Sequence, residues 1–513
     1  MSLTDILSHH AAHFGDEVAL EFDGVRTSWS ELLQGTRRTA GALRGIGVGR
    51  GDVVAVLLHN SDRFLEIMHA VSHLGAVFMP LNWRLAGPEL SYIIDNATAR
   101  VVISEAEFAP VLEAIHMELR DTQYVAVGPE VPAGWGDLRE LTLAAAPVDE
   151  AEVMKDTDLL RLMYTSGTTS RPKGVMQTYG NLWAKCAAQI AEYRMTHDAV
   201  GLACGPLYHV GTLDMTTTNL MYLGARVHVL RRFDAAAVLE SVERLRISHI
   251  WLAPAMVRAV VDHPDIDKRD LTSVEQIIDG GEKMPLPLID RVLRAFPKAW
   301  FADGYGLTET MSGDTCLDKG KERDKLGSVG RPVMHTELRI VDALGHPVPA
   351  GERGEIIIRG PKVSPGYWRN DEATAAAHRD GWFYSGDLGV LDEDGYLFIV
   401  DRLKDVIVSG GENIASSEVE RVLYEHGAVS EVAVVGRPDP RWIEVPVAYI
   451  ALAEGQAVTT DQLREHCQER LARFKVPKVF HIVDALPRNP SGKVLKRVLR
   501  DQAQDELTSG NTA

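Results

Sequence analysis

The sequence is poor in cysteine. Its 513 residues include four cysteines, which lie far apart and in no paired spacing: Cys186, Cys204, Cys316 and Cys467. Disulfide frameworks and zinc sites both depend on cysteines in close, repeated spacings. The pattern therefore argues against both kinds of site, and it favours a reducing, cytoplasmic setting.

Long hydrophobic runs are lacking as well. No stretch of the sequence approaches the roughly 18 consecutive apolar residues that a membrane-spanning helix needs. The N-terminal stretch MSLTDILSHHAAHFGDE contains acids and histidines instead of basic residues followed by a long apolar segment, so it is not typical of a secretory signal. We expect no transmembrane segment and no export.

The sequence also lacks an excess of positive charge. Its formal net charge is −18 at pH 7, whereas a protein that binds a nucleic acid backbone needs a basic face that releases counterions. Nucleic acid is therefore disfavoured as a partner. A nucleotide site is not excluded, because it needs only a few local donors and cations.

The first part of the sequence has the pattern of a layered α/β protein. From Gly51 it runs GDVVAVLLHNS, DRFLEIMHAVSHLG and AVFMPLN, which predicts a strand, an amphipathic helix and a second strand. Ser61 is placed to cap this helix and Gly75 to end it. Buried strands are also predicted over 99–104, 226–230, 249–254 and 275–281.

After about Leu338 the residue pattern changes to that of short strands separated by turns, which predicts a β-rich subdomain. Beyond Asp401 the pattern of strands and helices indicates a small separate α+β domain, and the polar stretch 501–513 is predicted to be a disordered tail. The predicted fold class is therefore α/β, with a large N-terminal domain of layered α/β subdomains plus a β-rich subdomain, and a small C-terminal domain.

The segment YTSGTTSRPKG, residues 164–174, has the composition of a phosphate-binding loop. Small residues such as Gly167 let backbone N–H groups approach an anion, and Lys173 adds a mobile positive charge. A Walker A loop is excluded because Lys173 is followed by Gly174 and not by serine or threonine. A loop without a ligand is the alternative interpretation. Additional donors are the hydroxyl groups of Thr165, Ser166, Thr168 and Thr169.

At this segment the chain resembles the adenylate-forming superfamily of acyl-CoA synthetases, adenylation domains and luciferases. The segment GYGLTET, which follows Asp303, resembles the adenine and magnesium motif of that superfamily. The resemblance implies that Tyr305 stacks on adenine, that Asp303 accepts a hydrogen bond from its amino group, and that Thr308 contacts the α-phosphate. Glu309 would hold Mg²⁺, because a carboxylate oxygen is a hard ligand that suits a hard cation, and Thr165 is the second metal candidate.

Two later segments also match the superfamily. YSGDLGVLDEDGYLFIVDRLKD resembles its ribose-binding segment and hinge, which implies that Asp387 binds the ribose hydroxyl groups, that Arg402 holds ribose or phosphates, and that Lys404 is the pivot. PRNPSGKVLKR resembles the segment of the catalytic lysine, here Lys493, which bridges the substrate carboxylate and the α-phosphate during adenylation. The hinge is then expected at 401–404, between an AMP-binding domain at 1–400 and a C-terminal domain at 405–500.

The acid and coenzyme A sites are implied by weaker matches. GPLYHVG and GGEKMP resemble segments that border the acyl pocket and the adenine, and the glycine pair Gly410 and Gly411 would line a channel for coenzyme A. The acyl pocket should draw on 208–214, 251–256, 279–282 and 311–313. The residues implied for the acid are His209, Gly211, Asp279, Gly280, Gly304 and Met311. The residues implied for the nucleotide are Thr165, Ser166, Gly167, Thr168, Thr169, Lys173, Gly281, Glu282, Asp303, Gly304, Tyr305, Gly306, Thr308, Asp387, Arg402 and Lys493.

The chain departs from the superfamily's pattern at a few positions. Ser170 stands where the phosphate loop often has glycine, and Ala415 with Ser416 stands where an aromatic residue or serine followed by proline is common. Ile443 stands between Trp442 and Glu444 where glycine is common. The departures in the small domain affect the coenzyme A step more than adenylation.

The resemblance implies an ATP-dependent acyl-CoA ligase that uses Mg²⁺ and coenzyme A, with Thr308, Glu309 and Lys493 as catalytic residues. The mostly small or apolar pocket favours a medium- or long-chain fatty acid, with an aryl acid as the alternative. Two other interpretations stay open: an adenylation enzyme that loads a carrier protein, and a non-catalytic nucleotide binder. A homodimer is a separate expectation about the assembly of the chain.

Overall fold

The computed structural model describes residues 1–119, 121–165, 171–281, 284–409, 412–488 and 493–510. Within these ranges, no helix is long and apolar enough to cross a membrane. The chain divides into two compact units. The first comprises Met1–Gly281, Asp290–Glu337 and Ile358–Phe383, and the second comprises Glu282–Ile289, Leu338–Ile357 and Tyr384–Ala513.

The first unit contains two sheets that are parallel except at one edge. In order of neighbouring strands, one sheet consists of Gly136–Asp137, Gln123–Val127, Ala99–Glu105, Val53–Leu57, Val77–Pro80, Leu159–Thr165 and Lys173–Thr178, the last pair being antiparallel. The other sheet consists of Trp300–Asp303, Gln276–Asp279, His249–Leu252, Val200–Ala203, Arg226–Val229, Val18–Phe22 and Val25–Ser28, again with an antiparallel last pair.

Helices pack against both sheets in one hydrophobic core. The core cluster includes Val54 and Phe78 from one sheet and Leu20 and Val227 from the other. The helix Asp62–His73 is buried along its length from Phe64 onward, as expected for a helix with packed layers on both sides. The other α-helices of this part of the chain are Leu3–Phe14, Trp29–Gly45, Gly87–Ala97, Ala109–Glu113, Leu138–Ala144, Tyr179–Glu192, Thr218–Leu223, Ala235–Leu245, Pro254–Val261, Leu286–Ala295 and Asp371–Ala377.

The predicted α/β architecture is confirmed, and so are local details. The four predicted buried strands are observed at Ala99–Glu105, Arg226–Val229, His249–Leu252 and Gln276–Asp279. Ser61 caps the helix that begins at Asp62, because its hydroxyl accepts a hydrogen bond from the backbone N–H of Phe64 at 3.1 Å. That helix ends at His73, and Gly75 follows with a positive φ of +63°.

The β-rich region and the small α+β region both contain sheets. Glu337–Val341, Gly354–Arg359 and Trp382–Leu391 are successive neighbours, and Leu397–Arg402 pairs with the last of them. A further sheet runs through Glu412–Ile414, Ile407–Ser409, Ile443–Leu452 and Val429–Asp439, with Val479–Ile482 beside Ile443–Leu452. The helices Ser416–Tyr424 and Thr460–Gln468 belong to this second region. The predicted domain limits at 400 and 405 remain a prediction.

The prediction of a disordered tail after residue 500 is wrong for the part that the structure describes. The helix Lys496–Gly510 continues through this stretch. Leu499 and Ala503 lie four residues apart on one helix face and are buried in a cluster with Val435 and Tyr449. The apolar contacts of Leu499 and Ala503 thus pack one face of a helix whose composition is otherwise polar.

Ile443 has a strained backbone. It follows a short hairpin loop whose N–H groups at Arg441 and Trp442 donate to the carboxylate of Asp439 at 2.9 Å. Asp439 and Ile443 are register partners, and Ile443 has a φ of +71°. Hairpins of this kind end in a left-handed residue that is usually glycine, and a β-branched residue is disfavoured there.

We expect Ile443→Gly to stabilise the protein by about 1 kcal/mol. Glycine relieves the strain of the left-handed backbone, and this gain exceeds the additional chain entropy that glycine loses on folding. The isoleucine side chain is 64% exposed, so little burial is lost. Equilibrium urea unfolding would measure the gain. Ile443→Ala is the matched control, since alanine keeps the Cβ that causes the strain. Equal stability of the glycine and alanine variants would contradict the explanation.

Candidate active site

Two candidate segments meet at the carboxyl ends of neighbouring parallel strands. The strands that end at Asp279 and Asp303 pair in a register that sets these two residues opposite each other. The N–H of Gly304 donates to the carbonyl of Asp279 at 3.2 Å. A Cβ on Gly280 would lie 2.8 Å from the carbonyl oxygen of Gly304, so the close approach of the two segments needs glycine. The structure thus brings together residues implied for the acid and residues implied for the adenine.

Asp303 is a buried carboxyl group. It is 4% exposed, and burial raises its pKa to about 7, against the lowering effect of a hydrogen bond from the backbone N–H of Gly304. A hydrogen-bond donor on a ligand would favour the charged form of this carboxyl, because it opposes the effect of burial. This property fits the adenine-contacting role that the sequence implies.

The segment from Gly304 onward folds back on itself. The N–H of Tyr305 donates to the hydroxyl of Thr315 at 3.0 Å, and its carbonyl accepts from the N–H of Thr315 at 3.1 Å. A Cβ on Gly306 would lie 2.2 Å from the backbone nitrogen of Gly313. The loop is therefore closed so tightly that residue 306 must be glycine.

Glu309 has partners that the sequence did not predict. Its carboxylate accepts a hydrogen bond from the hydroxyl of Tyr367 at 2.9 Å, and its carbonyl accepts from the N–H of Ser364 at 2.7 Å. Burial, together with the neighbouring Glu309, raises the pKa of Tyr367. Tyr367 follows Gly366 in the stretch VSPGYW, and the signal that could have identified it is an aromatic hydroxyl beside a glycine in a loop. Tyr367 therefore orients the candidate metal ligand.

The ends of the predicted phosphate loop lie at the same place. Thr165 and Lys173 are register partners on the antiparallel strands that flank the loop. The Lys173 ammonium lies 5.1 Å from the centre of the Tyr367 ring, a distance at which a cation is attracted to an aromatic face. Tyr367 thus lies beside both Lys173 and Glu309, and Thr165 is opposite Lys173 on the neighbouring strand.

Thr308 is held by a second residue that the sequence analysis missed. The side-chain amide of Gln177 donates to the carbonyl of Thr308 at 2.7 Å. Gln177 is fully buried on the strand that begins at Lys173. The strand after the phosphate loop therefore also fixes the loop that contains Glu309.

The segment implied for the acyl pocket packs against an indole ring. Cβ atoms on Gly205 and Gly211 would lie 3.2 Å and 2.4 Å from the Trp251 ring, so the two glycines lie close against it. The His209 ring is 4.8 Å from the ring of Tyr208, centre to centre. Gly211 begins a π-helical turn, Gly211–Thr217.

Met311 and Gly313 lie in the loop that follows Glu309, and this loop approaches the π-helical turn. Met311 is fully buried, and a Cβ on Gly313 would lie 3.0 Å from the side chain of Met215, which belongs to the π-helical turn. The π-helical turn that follows His209 therefore packs against the loop that follows Glu309.

The ribose candidates form a pair in the second unit. Asp387 and Arg402 are register partners on adjacent antiparallel strands, and the guanidinium lies 3.3 Å from the carboxylate. Asp387 is 6% exposed and its N–H donates to the hydroxyl of Ser385 at 3.0 Å. The two residues predicted to contact the ribose are thus side by side.

The hinge candidate is bonded to the C-terminal helix. The guanidinium of Arg500 donates to the carbonyl of Lys404 at 3.2 Å and also pairs with the carboxylate of Asp405. Burial lowers the pKa of Lys404, against the opposing effect of Asp405. Lys493 is exposed and lies just before this helix.

Some of the predicted residues lie at the edge of a described range or outside the described ranges. Gly281 ends a described segment with a φ of +93°. The predicted residues that lie outside the described ranges are Ser166, Gly167, Thr168, Thr169, Glu282, Gly410 and Gly411.

Comparisons with known proteins identify relatives over nearly the whole chain. Residues 7–368 match the family described as AMP-binding enzyme, and residues 418–493 match the AMP-binding enzyme C-terminal domain. Feruloyl-CoA synthase of an Amycolatopsis species is 40% identical over 485 residues, which is 94% of this chain and 95% of that protein. Indoleacetate–CoA ligase of Aromatoleum aromaticum is 38% identical over 504 residues, 98% of each protein.

A solved structure is also similar. O-succinylbenzoate coenzyme A synthetase from Bacillus subtilis, in complex with ATP and magnesium ion, has a TM-score of 0.86 and 32% sequence identity. The alignment covers 97% of this chain and 98% of that chain.

We expect Tyr367→Phe to weaken the response to Mg²⁺. The substitution removes the hydrogen bond that Tyr367 donates to the Glu309 carboxylate, and losing one such partner of a metal ligand usually costs about tenfold or more in metal affinity. The Mg²⁺ concentration for half-maximal exchange of pyrophosphate into ATP should rise accordingly.

Tyr179→Phe provides the matched control for this measurement. It removes a buried tyrosine hydroxyl that lies 2.8 Å from the hydroxyl of Ser72. The control should leave the Mg²⁺ dependence unchanged. If Tyr367→Phe leaves it unchanged as well, Tyr367 does not orient the metal ligand.

Proposed function

Because this chain belongs to the AMP-binding enzyme family and is an AMP-forming acid–thiol ligase, we propose that it converts an aromatic carboxylic acid to its coenzyme A thioester. The acid and ATP would give an acyl-adenylate and pyrophosphate, and coenzyme A would then displace AMP. This choice departs from the fatty acid favoured by composition alone.

One observation supports the aromatic substrate above all. Two relatives that are 40% and 38% identical over almost their whole lengths are named for acids with aromatic rings, ferulate and indoleacetate. Trp251, which packs against Gly205 and Gly211 in the segments implied for the acid, is consistent with this choice, because aromatic rings pack favourably against one another.

The adenylation step requires several anions to meet. A carboxylate is a poor electrophile, and attack of its oxygen on the α-phosphorus forms a new P–O bond while the bond to pyrophosphate breaks. We assign Lys173 and Lys493 to offset the repulsion among these groups. A single contact of this kind at about 4 Å is worth about 4 kcal/mol at an effective dielectric constant near 20, or roughly a thousandfold in rate.

Mg²⁺ would supply Lewis-acid stabilisation of the phosphate oxygens when bound. Glu309 fits it, because a carboxylate offers the hard oxygen ligands that Mg²⁺ prefers, and Tyr367 holds that carboxylate. We assign Thr165 as a second ligand, as the sequence implies. Within the chain, Tyr367 holds the Glu309 carboxylate and Gln177 holds the Thr308 carbonyl.

The second step exchanges oxygen for sulfur. The thiol of coenzyme A loses its proton and attacks the acyl carbon of the adenylate, and AMP leaves with the electron pair of the broken bond. We assign Gly410 and Gly411 to the coenzyme A channel and Asp387 with Arg402 to the ribose, as the sequence implies. A homodimeric assembly and a cytoplasmic location remain predictions.

The products identify the reaction and the acid. We expect AMP and pyrophosphate, and not ADP and phosphate, when the protein is incubated with ATP, Mg²⁺, coenzyme A and an acid. Ferulate, indoleacetate, 2-succinylbenzoate and anthranilate should give faster AMP release than octanoate and palmitate. Faster release with the fatty acids would reject the aromatic substrate, and ADP formation would reject the ligase reaction.

We expect Lys493→Ala to reduce the acid-dependent exchange of pyrophosphate into ATP by roughly a thousandfold, because a cation is lost where three anions meet. Thioester formation from a synthetic acyl-adenylate and coenzyme A should largely survive. Arg497→Ala is the control, since it removes a nearby cation whose side chain is 71% exposed. Equal loss of both half-reactions would contradict the role of Lys493.

A further inference from the structure

The backbone that follows Glu309 adopts left-handed conformations at successive residues. Met311, Ser312 and Gly313 have φ angles of +53°, +68° and +57°, a region that residues with side chains rarely adopt. Such a backbone persists only where its surroundings hold it. The groups that hold it are therefore of functional interest.

A buried ion pair holds one side of this turn. The ammonium of Lys362 donates to the carbonyls of Thr310 and Ser312 at 3.0 and 3.1 Å and also pairs with the carboxylate of Asp314. Lys362 is 1% exposed and Asp314 is fully buried. The Lys362 ammonium and the Asp314 carboxylate thus stabilise the loop that follows Glu309.

A chain of buried amides leads away from Ser312. Its carbonyl accepts from the side chain of Gln189 at 2.9 Å, and Gln189 in turn accepts from Asn219 at 2.9 Å. Asn219 accepts from the ammonium of Lys185 at 2.9 Å, which also donates to the carbonyl of Asp214 at 3.0 Å. This first branch joins the loop to Asp214.

A second branch leads away from Thr308. Gln177 donates to the carbonyl of Thr308 at 2.7 Å and accepts a hydrogen bond from the guanidinium of Arg161. Arg161 in turn pairs with the carboxylate of Asp214. Both branches therefore start at Asp214 and end on the loop, one on each side of Glu309.

Asp214 lies in the segment implied for the acyl pocket. It is fully buried within the π-helical turn Gly211–Thr217, which begins two residues after His209. π-Helical turns are rare and occur frequently at functional sites. The two branches thus connect the acid side of the candidate site to the loop that holds Glu309.

We propose that Asp214 is a positioning residue whose two branches couple binding of the acid to binding of ATP and Mg²⁺. This inference rests on the proposed function. A bound acid that shifts the π-helical turn would shift Arg161 and Lys185, and the amides would transmit the shift to the carbonyls of Thr308 and Ser312.

The coupling follows from burial of the charges. Arg161 and Lys185 are buried, so water cannot replace Asp214 as their partner when the turn moves. A movement of the π-helical turn is then accompanied by a movement of the loop that contains Glu309. In this proposal the acid and the nucleotide favour the same arrangement of the turn and the loop. By linkage, the acid must strengthen nucleotide binding by the same factor by which the nucleotide strengthens acid binding.

The test measures that factor in the full-length protein. Calorimetry would give the Kd of Mg²⁺ with α,β-methylene-ATP, which cannot form the adenylate, with and without the panel acid that releases AMP fastest. We expect the acid to tighten binding at least about fivefold in the unaltered protein. Gln177→Met and Gln189→Met each cut one branch, so each should lower the factor, and the double variant should bring it close to one.

Gln276→Met is the matched control. Gln276 is a buried glutamine that donates to the carbonyl of Tyr193 at 3.1 Å, outside both branches, so this variant should keep the full factor. Asp214→Asn is less informative, because it leaves Arg161 and Lys185 buried without their counter-charge and can prevent folding.

A folded double variant with an unchanged factor would overturn the proposal, as would a factor of one in the unaltered protein. Failure of the proposed function is distinguishable, because it would appear earlier as an absence of AMP release with every acid of the panel. A uniform loss of nucleotide affinity at a constant factor would also count against coupling, since it indicates only a structural role.

Discussion

The candidate site depends on the hydrogen bonding of one short loop. The carbonyls of Thr308, Thr310 and Ser312 accept from buried side chains of Gln177, Lys362 and Gln189. An unpaired buried carbonyl is costly, and a left-handed turn would relax without such donors. The position of the loop that contains Glu309 therefore follows from buried side chains that are not among the residues implied for any ligand, while Tyr367 donates a hydrogen bond to the Glu309 carboxylate.

The sequence predicted what depends on local pattern. The buried strands, the cap at Ser61 and the candidate phosphate loop follow from residue spacing and composition, whereas the adenine segment is implied by the family resemblance. In the structure, Tyr367 lies beside both Lys173 and Glu309, and Thr165 is the register partner of Lys173. The supporting residues could not be predicted in this way. Gln177 and Thr308 are 131 positions apart, and Lys362 and Thr310 are 52 apart. A lysine or glutamine in a sequence is normally expected on the surface, so its burial shows only in the folded chain.

The arrangement of the sheet explains why unrelated stretches of sequence share a site. Parallel strands end at one edge, and loops after neighbouring strands meet there. Asp279 and Asp303 end adjacent strands, and the glycines beside them allow the following segments to approach. The alternation of strands and helices therefore determines where the chemistry occurs, and the loop residues determine which chemistry it is.

The helix Lys496–Gly510 is held in place by ion pairs, a hydrogen bond and apolar packing. Lys496 is bonded to Glu420 and Ser416, Arg500 is bonded to Asp405, and Leu499 and Ala503 are packed in a core cluster. Lys493 lies three residues before this helix, so these bonds limit how far its ammonium can move. Proteolytic removal of the helix would take away these attachments without removing Lys493, so a truncated chain would keep the lysine and lose the support that restricts its position.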